Sequence, residues 1–395
     1  MRTYCGGTQI ANSSFVFLLI APNSIIMIVL IRCNDIISDS RTKKYLDFLV
    51  QKQADYKIIA WDRLDNSEKL PNTMYCPSRS KYNQGGVAAI IDRLKWMWFI
   101  LKSLFSLNAD LRIHACDLDA AFPAVVYKLL SRRKNYVLFD IFDWISDTLY
   151  NQGKIVSMAF AFMERICIRY ADHIVICEPE RIKQVPYDIQ GRYSVLQNIP
   201  SFVSSEFLYR DDRYLFDNDL LTLTYVGSFT ADRCIMELID GAKSGAYNLN
   251  IAGYGDASIT SKLEASKDCP YIKYYGKVTY TDGLRIMYNS DIIYAMYSKR
   301  NPNHLFAAPN KYYEAMFVGK AIITTNGIIV ATKVKENNMG YGIDESVESL
   351  VGLVKSLSKD EVKTKSEVSA SLWGKYKSAT ENYLNTTYSQ IMQIL

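Results

Sequence analysis

From residue 25 onward, short runs of consecutive apolar residues alternate with longer stretches in which apolar positions recur every three or four. The first kind marks strands buried on both faces; the second marks amphipathic helices that cover them. The pattern predicts strands over 25–32, 56–61, 111–115, 136–140 and 173–177, separated by helices over 42–53, 91–107, 121–130 and 154–170. Residues 200–218 lose the helical period and fill with Asp, Arg and Ser, as a linker does. A second alternation follows, with strands over 221–226, 249–252, 271–275, 291–297 and 321–325. Its helices are expected over 232–243, 280–289, from Pro309 to Gly319, and over 346–357. Each alternation builds a parallel sheet wrapped by helices, so the fold class is α/β with two doubly wound domains. Ligands are expected between them, at the carboxyl ends of the strands.

The divisions that follow are an extension over 1–24, an N-terminal domain over 25–203, a linker over 204–220 and a second domain over 221–375. A terminal helix over 376–395 is expected to pack back on the first domain. Before the first strand stand Phe15-Val16-Phe17-Leu18-Leu19-Ile20-Ala21 and Ser24-Ile25-Ile26-Met27-Ile28-Val29-Leu30-Ile31, split by Pro22-Asn23 and ended by Arg32. Neither piece approaches the roughly 20 uninterrupted apolar residues of a spanning helix. The second reads as a strand, and Met27 inside it makes 1–24 an upstream extension, with a signal anchor as the rival reading.

Composition narrows the class. A chain of 395 residues is too long for one ordinary core. Eight scattered cysteines with no CxxC pair fit reduced thiols in a cytosolic protein and argue against zinc. A net charge of +5 suits an anionic surface but falls short of a nucleic-acid binder.

The candidate chemistry gathers at Pro309-Asn310-Lys311-Tyr312-Tyr313-Glu314-Ala315-Met316-Phe317-Val318-Gly319-Lys320. A proline opens this helix, a glycine closes it, and its N-terminal N–H groups suit a phosphate. Glu314, more than one turn in, can accept hydrogen bonds from sugar hydroxyls, which points to a nucleotide-sugar. An ordinary helix acid is the alternative.

Further landmarks carry a resemblance. Ile31-Arg32-Cys33-Asn34-Asp35-Ile36-Ile37-Ser38-Asp39-Ser40-Arg41, Trp61-Asp62-Arg63, Ile113-His114-Ala115-Cys116-Asp117-Leu118-Asp119 and Phe139-Asp140-Ile141-Phe142-Asp143 come first. Tyr225-Val226-Gly227, Ile251-Ala252-Gly253-Tyr254-Gly255, Tyr275-Gly276-Lys277-Val278 and the Pro309–Lys320 block follow. In this order they resemble bacterial glycosyltransferases of family 4, over roughly residues 25–390. The resemblance implies the GT-B fold, two Rossmann-like domains facing across a cleft, and a retaining transfer that needs neither cofactor nor metal. It places the donor on the C-terminal domain, with Glu314 on the ribose hydroxyls, Ala307, Ala308, Pro309 and Asn310 at the diphosphate, and Lys311 adding charge. Gly227 lets backbone approach the diphosphate, and Lys277 and Val278 stand where relatives receive the base.

Three departures matter. The usual first acid, eight positions before Glu314, is Phe306, so His304 or Asn303 is left to serve the donor sugar unless the histidine is simply solvated. Ser228 replaces a common arginine, and Arg233 is the substitute cation or else a surface residue. Cys116 replaces a second histidine beside His114. His114 is nevertheless the acceptor-side candidate, with a buried core histidine as the rival reading, and Asp143 is the preferred acceptor-side carboxylate, with helix capping as its rival.

Finally, Arg93-Leu94-Lys95-Trp96-Met97-Trp98-Phe99-Ile100-Leu101-Lys102-Ser103-Leu104-Phe105 combines basic and aromatic residues at helical spacing. That suits a membrane-surface helix anchored by Trp96 and Trp98, with a core-facing stripe as the alternative. The reading is thus a nucleotide-sugar-dependent glycosyltransferase acting on a saccharide, lipid-linked acceptor in capsule, exopolysaccharide or O-antigen synthesis. It would be cytoplasmic and peripheral on the inner face of the membrane. The alternatives are a catalytically silent subunit of the same fold, or a nucleotide-sugar 2-epimerase, which would want more than the three histidines present. A dehydrogenase is disfavoured because the first strand leads into Cys33-Asn34-Asp35-Ile36 and not a GxGxxG turn.

Overall fold

The structure is a computed structural model describing residues 26–394, apart from 35, 38, 64–68, 80–85, 151–152 and 201–203. The extension over 1–24 lies outside the described residues.

The N-terminal domain runs β1 (Ile26–Arg32), α1 (Ser40–Gln51), β2 (Tyr56–Ala60), β3 (Thr73–Tyr75), α2 (Gly86–Ser106), β4 (Asp110–Cys116) and α3 (Leu118–Leu130). It continues through β5 (Tyr136–Ile141), α4 (Ile145–Thr148), α5 (Lys154–Tyr170), β6 (His173–Ile176) and β7 (Tyr193–Val195). These strands form one parallel sheet in the order β3-β2-β1-β4-β5-β6-β7. Val29, Ile31, Ile113 and Val137 on one sheet face meet Trp96, Ile100 and Leu104 of α2, most of α3, and Cys167 and Ile168 of α5. Ile28, Leu138 and Val175 on the other face meet Tyr45, Phe48 and Leu49 of α1.

The second domain runs β8 (Thr222–Phe229), α6 (Ile235–Lys243), β9 (Asn248–Gly255), α7 (Ala257–Glu264), β10 (Ile272–Tyr274), α8 (Tyr280–Tyr288) and β11 (Ile292–Ala295). Then come α9 (Pro302–Leu305), α10 (Asn310–Val318), β12 (Ala321–Thr325), α11 (Ile329–Glu336), β13 (Gly340–Ile343) and α12 (Val347–Ser356). Its parallel sheet has the order β10-β9-β8-β11-β12-β13. In both sheets the first strand sits centrally and the order reverses beside it, at β1/β4 and β8/β11. That reversal opens a crevice at the carboxyl ends of the strands.

Two predicted elements differ. The helix expected over 232–243 is broken: a short turn, Ala231–Arg233, precedes Cys234 in the left-handed region (φ 51°), and α6 begins only at Ile235. The helix expected to begin at 376 begins at Lys359. This α13 (Lys359–Tyr383) lies first on the second domain, where Trp373 packs on Phe317 and Tyr376 on Tyr313. One wide turn, Leu384–Tyr388, then leads into α14 (Ser389–Met392), and Tyr383, Leu384, Tyr388 and Met392 are buried against the N-terminal sheet with Ile28, Tyr45 and Val175.

Candidate functional site

The two crevices face each other across a cavity of about 420 Å³. Its C-terminal wall is built from strand and helix ends. Near its end β8 carries Val226-Gly227-Ser228, and Gly227 pairs with Gly253 of β9. The strands lie so close here that a Cβ on Gly253 would stand 1.9 Å from the Gly227 carbonyl oxygen, so only glycine fits. The broken helix aims Arg233 into the cavity. Its guanidinium carbon lies 4.2 Å from the Tyr297 ring centre and its Nε 4.0 Å from Asp232, while its buried Nη1 has no hydrogen-bond partner. Burial works against the charge, yet Tyr297, Tyr225 and Asp232 outweigh it and hold the Arg233 proton more tightly.

Beside Arg233 the chain passes through α9 into Ala307, Ala308 and Pro309, and α10 begins at Asn310 with Pro309 as its N-cap. No side chain caps this helix; the Tyr312 N–H turns back to the Pro309 carbonyl (3.1 Å), and the N–H groups of Asn310 and Lys311 remain for a ligand. Lys311 lines the cavity and pairs with the buried carboxylate of Glu314. His304 donates from Nδ1 to the Ser298 carbonyl (2.9 Å), leaving Nε2 as an acceptor 3.5 Å from the Asn301 amide nitrogen. Burial and nearby Arg233 lower its pKa, so the ring is neutral at physiological pH.

The N-terminal wall carries Arg32, Asp39, Arg41, Phe142 and Asp143. Arg32 pairs with Asp39 (2.6 Å) and with Asp117, which burial pushes up to about 6. Arg41 grips Asp140 through Nε (3.1 Å) and Nη2 (2.7 Å) and donates from Nη1 to the Leu196 carbonyl and Asn198. Burial alone would raise Asp140, but Arg41 and His114 bring it down to about 2. Asp143 keeps an open carboxylate in the cavity, with the Arg181 guanidinium 3.5 Å behind it.

Side chains also cross the cleft. Asn198 donates to the Ala308 carbonyl (2.8 Å), and Asn303 donates to Asp143 (2.9 Å). Tyr313 donates to Glu178 at 2.5 Å, and Lys333 pairs with the same carboxylate.

The cavity therefore unites Gly227, Arg233, His304, Ala307, Ala308, Pro309, Asn310 and Lys311 with Asp143. Glu314 is 1% exposed and reaches it only through Lys311. Lys277 lies outside, its ammonium 5.0 Å from the Tyr254 ring, and Val278 packs behind Val226. His114 requires correction: it is 0% exposed in the middle of β4, with Nδ1 3.0 Å from the Tyr388 hydroxyl and its ring edge-on to Tyr45. It belongs to the sheet face covered by α1 and the chain's end, away from the cleft. Trp96 requires another. It is fully buried and stacked on Trp61 at 5.8 Å, so it anchors α2 to the core and no surface. Phe306 lines a different hollow, between α4, α5 and α9. The residue pattern missed Arg32, Arg41, Asn198 and Tyr297 as wall residues. The resemblance stretch contained the two arginines, but nothing in it told which partners would claim them.

No family model and no curated protein matches this chain. Solved structures do. Sucrose-phosphate synthase from Thermosynechococcus elongatus is similar with a TM-score of 0.71 at 12% identity, covering 93% of this chain and 99% of that one. HepE of Anabaena, solved with UDP and glucose, gives 0.64 at 10% over 92% and 99%. WaaG, described as a glycosyltransferase involved in lipopolysaccharide biosynthesis, gives 0.62 at 12% over 90% and 99%. The fold is GT-B. In this GT-B chain the cleft between the two Rossmann-like domains is the candidate site, and its C-terminal wall carries the unspent hydrogen-bond donors.

Proposed function

We propose that this chain is a glycosyltransferase that moves a sugar from a nucleotide diphosphate sugar to a saccharide acceptor, with retention of anomeric configuration. The observation that carries this reading is the pairing of Arg233, with its unpartnered buried Nη1, and the uncapped start of α10 on one wall of the cleft. Both suit a diphosphate, and HepE of the same fold was solved with UDP. The bond from the anomeric carbon to the β-phosphate oxygen breaks as the acceptor oxygen joins the same face. The acceptor proton passes to the departing phosphate oxygen, whose charge Arg233, Lys311 and the α10 N-terminus stabilise. Asp143 orients the acceptor hydroxyl from the opposite wall. Because these groups supply the positive charge, transfer is expected to proceed in EDTA. A lipid-linked acceptor of capsule, exopolysaccharide or O-antigen assembly, met at the inner face of the cytoplasmic membrane, completes the reading.

One observation favours a second reading, a catalytically silent partner subunit: Phe306 offers no carboxylate to a donor sugar and faces another hollow. A panel of radiolabelled nucleotide-sugars with membrane extract separates the two, since a silent subunit transfers nothing, and NMR of the product reads its configuration. Calorimetry tests the donor assignment directly. Glu314→Ala removes the buried carboxylate that holds Lys311 in position on the cavity wall and is expected to weaken nucleotide binding by about 1–3 kcal/mol in a folded protein. Unchanged affinity would remove Glu314 from the donor site.

A further inference from the structure

Helix α2 is apolar nearly all round, yet it lies on the surface. Its inner stripe, Trp96, Ile100 and Leu104, is buried in the core, and on its outer side Ile90, Ile91, Leu94 and Trp98 are exposed, Trp98 by 60%. Helix α5 repeats the arrangement: Cys167 and Ile168 face the core, while Ile155 (85% exposed), Met158 and Phe162 face out. The two outer faces belong to one layer. α2, α3 and α5 cover the same side of the sheet, and α3 is buried along most of its length because its neighbours close over it, Arg93 of α2 lying 5.8 Å from the Phe160 ring of α5. Each helix follows a parallel strand whose carboxyl end faces the cleft, so this shared patch borders the cleft mouth.

These seven exposed apolar side chains, four on α2 and three on α5, exceed the isolated surface hydrophobe that needs no explanation. The charges around them select the occupant. Lys95, Lys102, Lys154, Arg165 and Arg169 are exposed on these two helices, whereas Glu164 is buried and Asp92 is half-buried beside Lys95. Every charge on the pair that is exposed is positive, and Lys102 lies 5.9 Å from the ring of Trp98. A second copy docked by two-fold symmetry would set these cations against themselves. An anionic bilayer complements them, since apolar side chains enter the acyl boundary while lysine and arginine meet the headgroups. No helix among the described residues is long and apolar enough to cross a membrane, so such a helix pair lies on the surface.

We propose that the outer face of α2 and α5 is a docking surface for an anionic lipid bilayer, holding the cleft mouth against the leaflet. The inference deepens the transferase reading by assigning the surface through which a lipid-linked acceptor is met, and its test does not use transfer. The full chain is sedimented with vesicles of phosphatidylcholine alone, and of equal parts phosphatidylcholine and phosphatidylglycerol. Binding to the anionic vesicles is expected, at least about tenfold tighter than to the neutral ones and weakening as salt rises. The variant L94S/W98S/F162S is expected to lose it, and R165E/R169E to weaken it by roughly tenfold, with nucleotide affinity and circular dichroism unchanged in both. Equal binding to neutral vesicles, no binding to anionic ones, or undiminished binding by the triple variant would each overturn the proposal. So would a dimer of the wild-type chain that the triple variant splits, because the patch would then belong to a second copy. Nucleotide affinity is measured separately, so a failure of the donor reading is distinguishable from a failure of this one.

Discussion

On the N-terminal wall of the cleft Arg32 and Arg41 are fully engaged: each is locked to carboxylates of its own domain, and Arg41 also binds a carbonyl and an amide. On the C-terminal wall Arg233 keeps a buried nitrogen without an acceptor, and α10 begins without a cap. On the first wall both cavity-lining arginines are spent on the fold, which leaves a ligand the shape of that wall and the open carboxylate of Asp143. The second holds back donors whose desolvation is offset only when an anion arrives. Charge alone does not mark a binding site; a cavity-lining charge with a donor still unspent does.

The contrast breaks most visibly at Arg41. Arg41→Met leaves Asp140 buried without its cation, with only the Tyr45 hydroxyl (2.9 Å) and the His114 ring beside it, and is expected to destabilise the fold by about 3–5 kcal/mol in urea titration. Nucleotide affinity of the remaining folded protein should not change; if it falls, the N-terminal wall is also a donor site. Arg233→Met should behave in the reverse sense, lowering nucleotide diphosphate affinity by about 3 kcal/mol in calorimetry. Its stability should hold or rise, since an incompletely paired buried cation is removed. A stability loss with unchanged affinity would make Arg233 a structural residue like Arg41.

A smaller effect probes what stiffens the N-terminal wall behind Asp143. Glu164 accepts hydrogen bonds from the backbone nitrogen (3.1 Å) and hydroxyl (2.5 Å) of Ser146, fixing the start of α4 just after Asp143. Burial pushes its carboxyl from 4.5 up to about 7, against the pull of those donors. Between these values the folded chain holds a proton that the unfolded chain has released. Stability from this group is therefore present below the unfolded value and declines as pH rises through the window, by at most roughly 3 kcal/mol. Glu164→Gln should flatten that part of the unfolding profile. An unchanged slope would show that Glu164 ionises freely.

What the sequence revealed follows the same division between local and assembled properties. β12 and α5 were legible because an unbroken apolar run and a helical stripe survive as local patterns. α7 was not, since only Ile259 and Leu263 of its residues are buried. Nor was β13, where Gly340 replaces the usual β-branched residue because a Cβ there would stand 2.0 Å from the Ile322 carbonyl oxygen. The loop before α10 could be read as a ligand site because an uncapped helix start is a local feature. Whether Arg32, Arg41 or Arg233 finds a partner is decided by strands and loops far away in the chain, and no spacing records it. Trp96 and Trp98 show the limit most plainly: two positions apart on one helix, they project to nearly opposite sides, one into the core and one into solvent.

The chain passes between the two domains twice, once before β8 and again where α13 leaves Phe317 and Tyr313 to bury Tyr388 and Met392 on the opposite sheet. Two strands of covalent chain between two rigid bodies act like two hinges on a door. They leave rotation about one axis and suppress twisting and sliding. Any relative motion of the two domains is thereby confined to a swing about that axis, and such a swing would have to break the bonds that Asn198, Asn303 and Tyr313 make across the cleft.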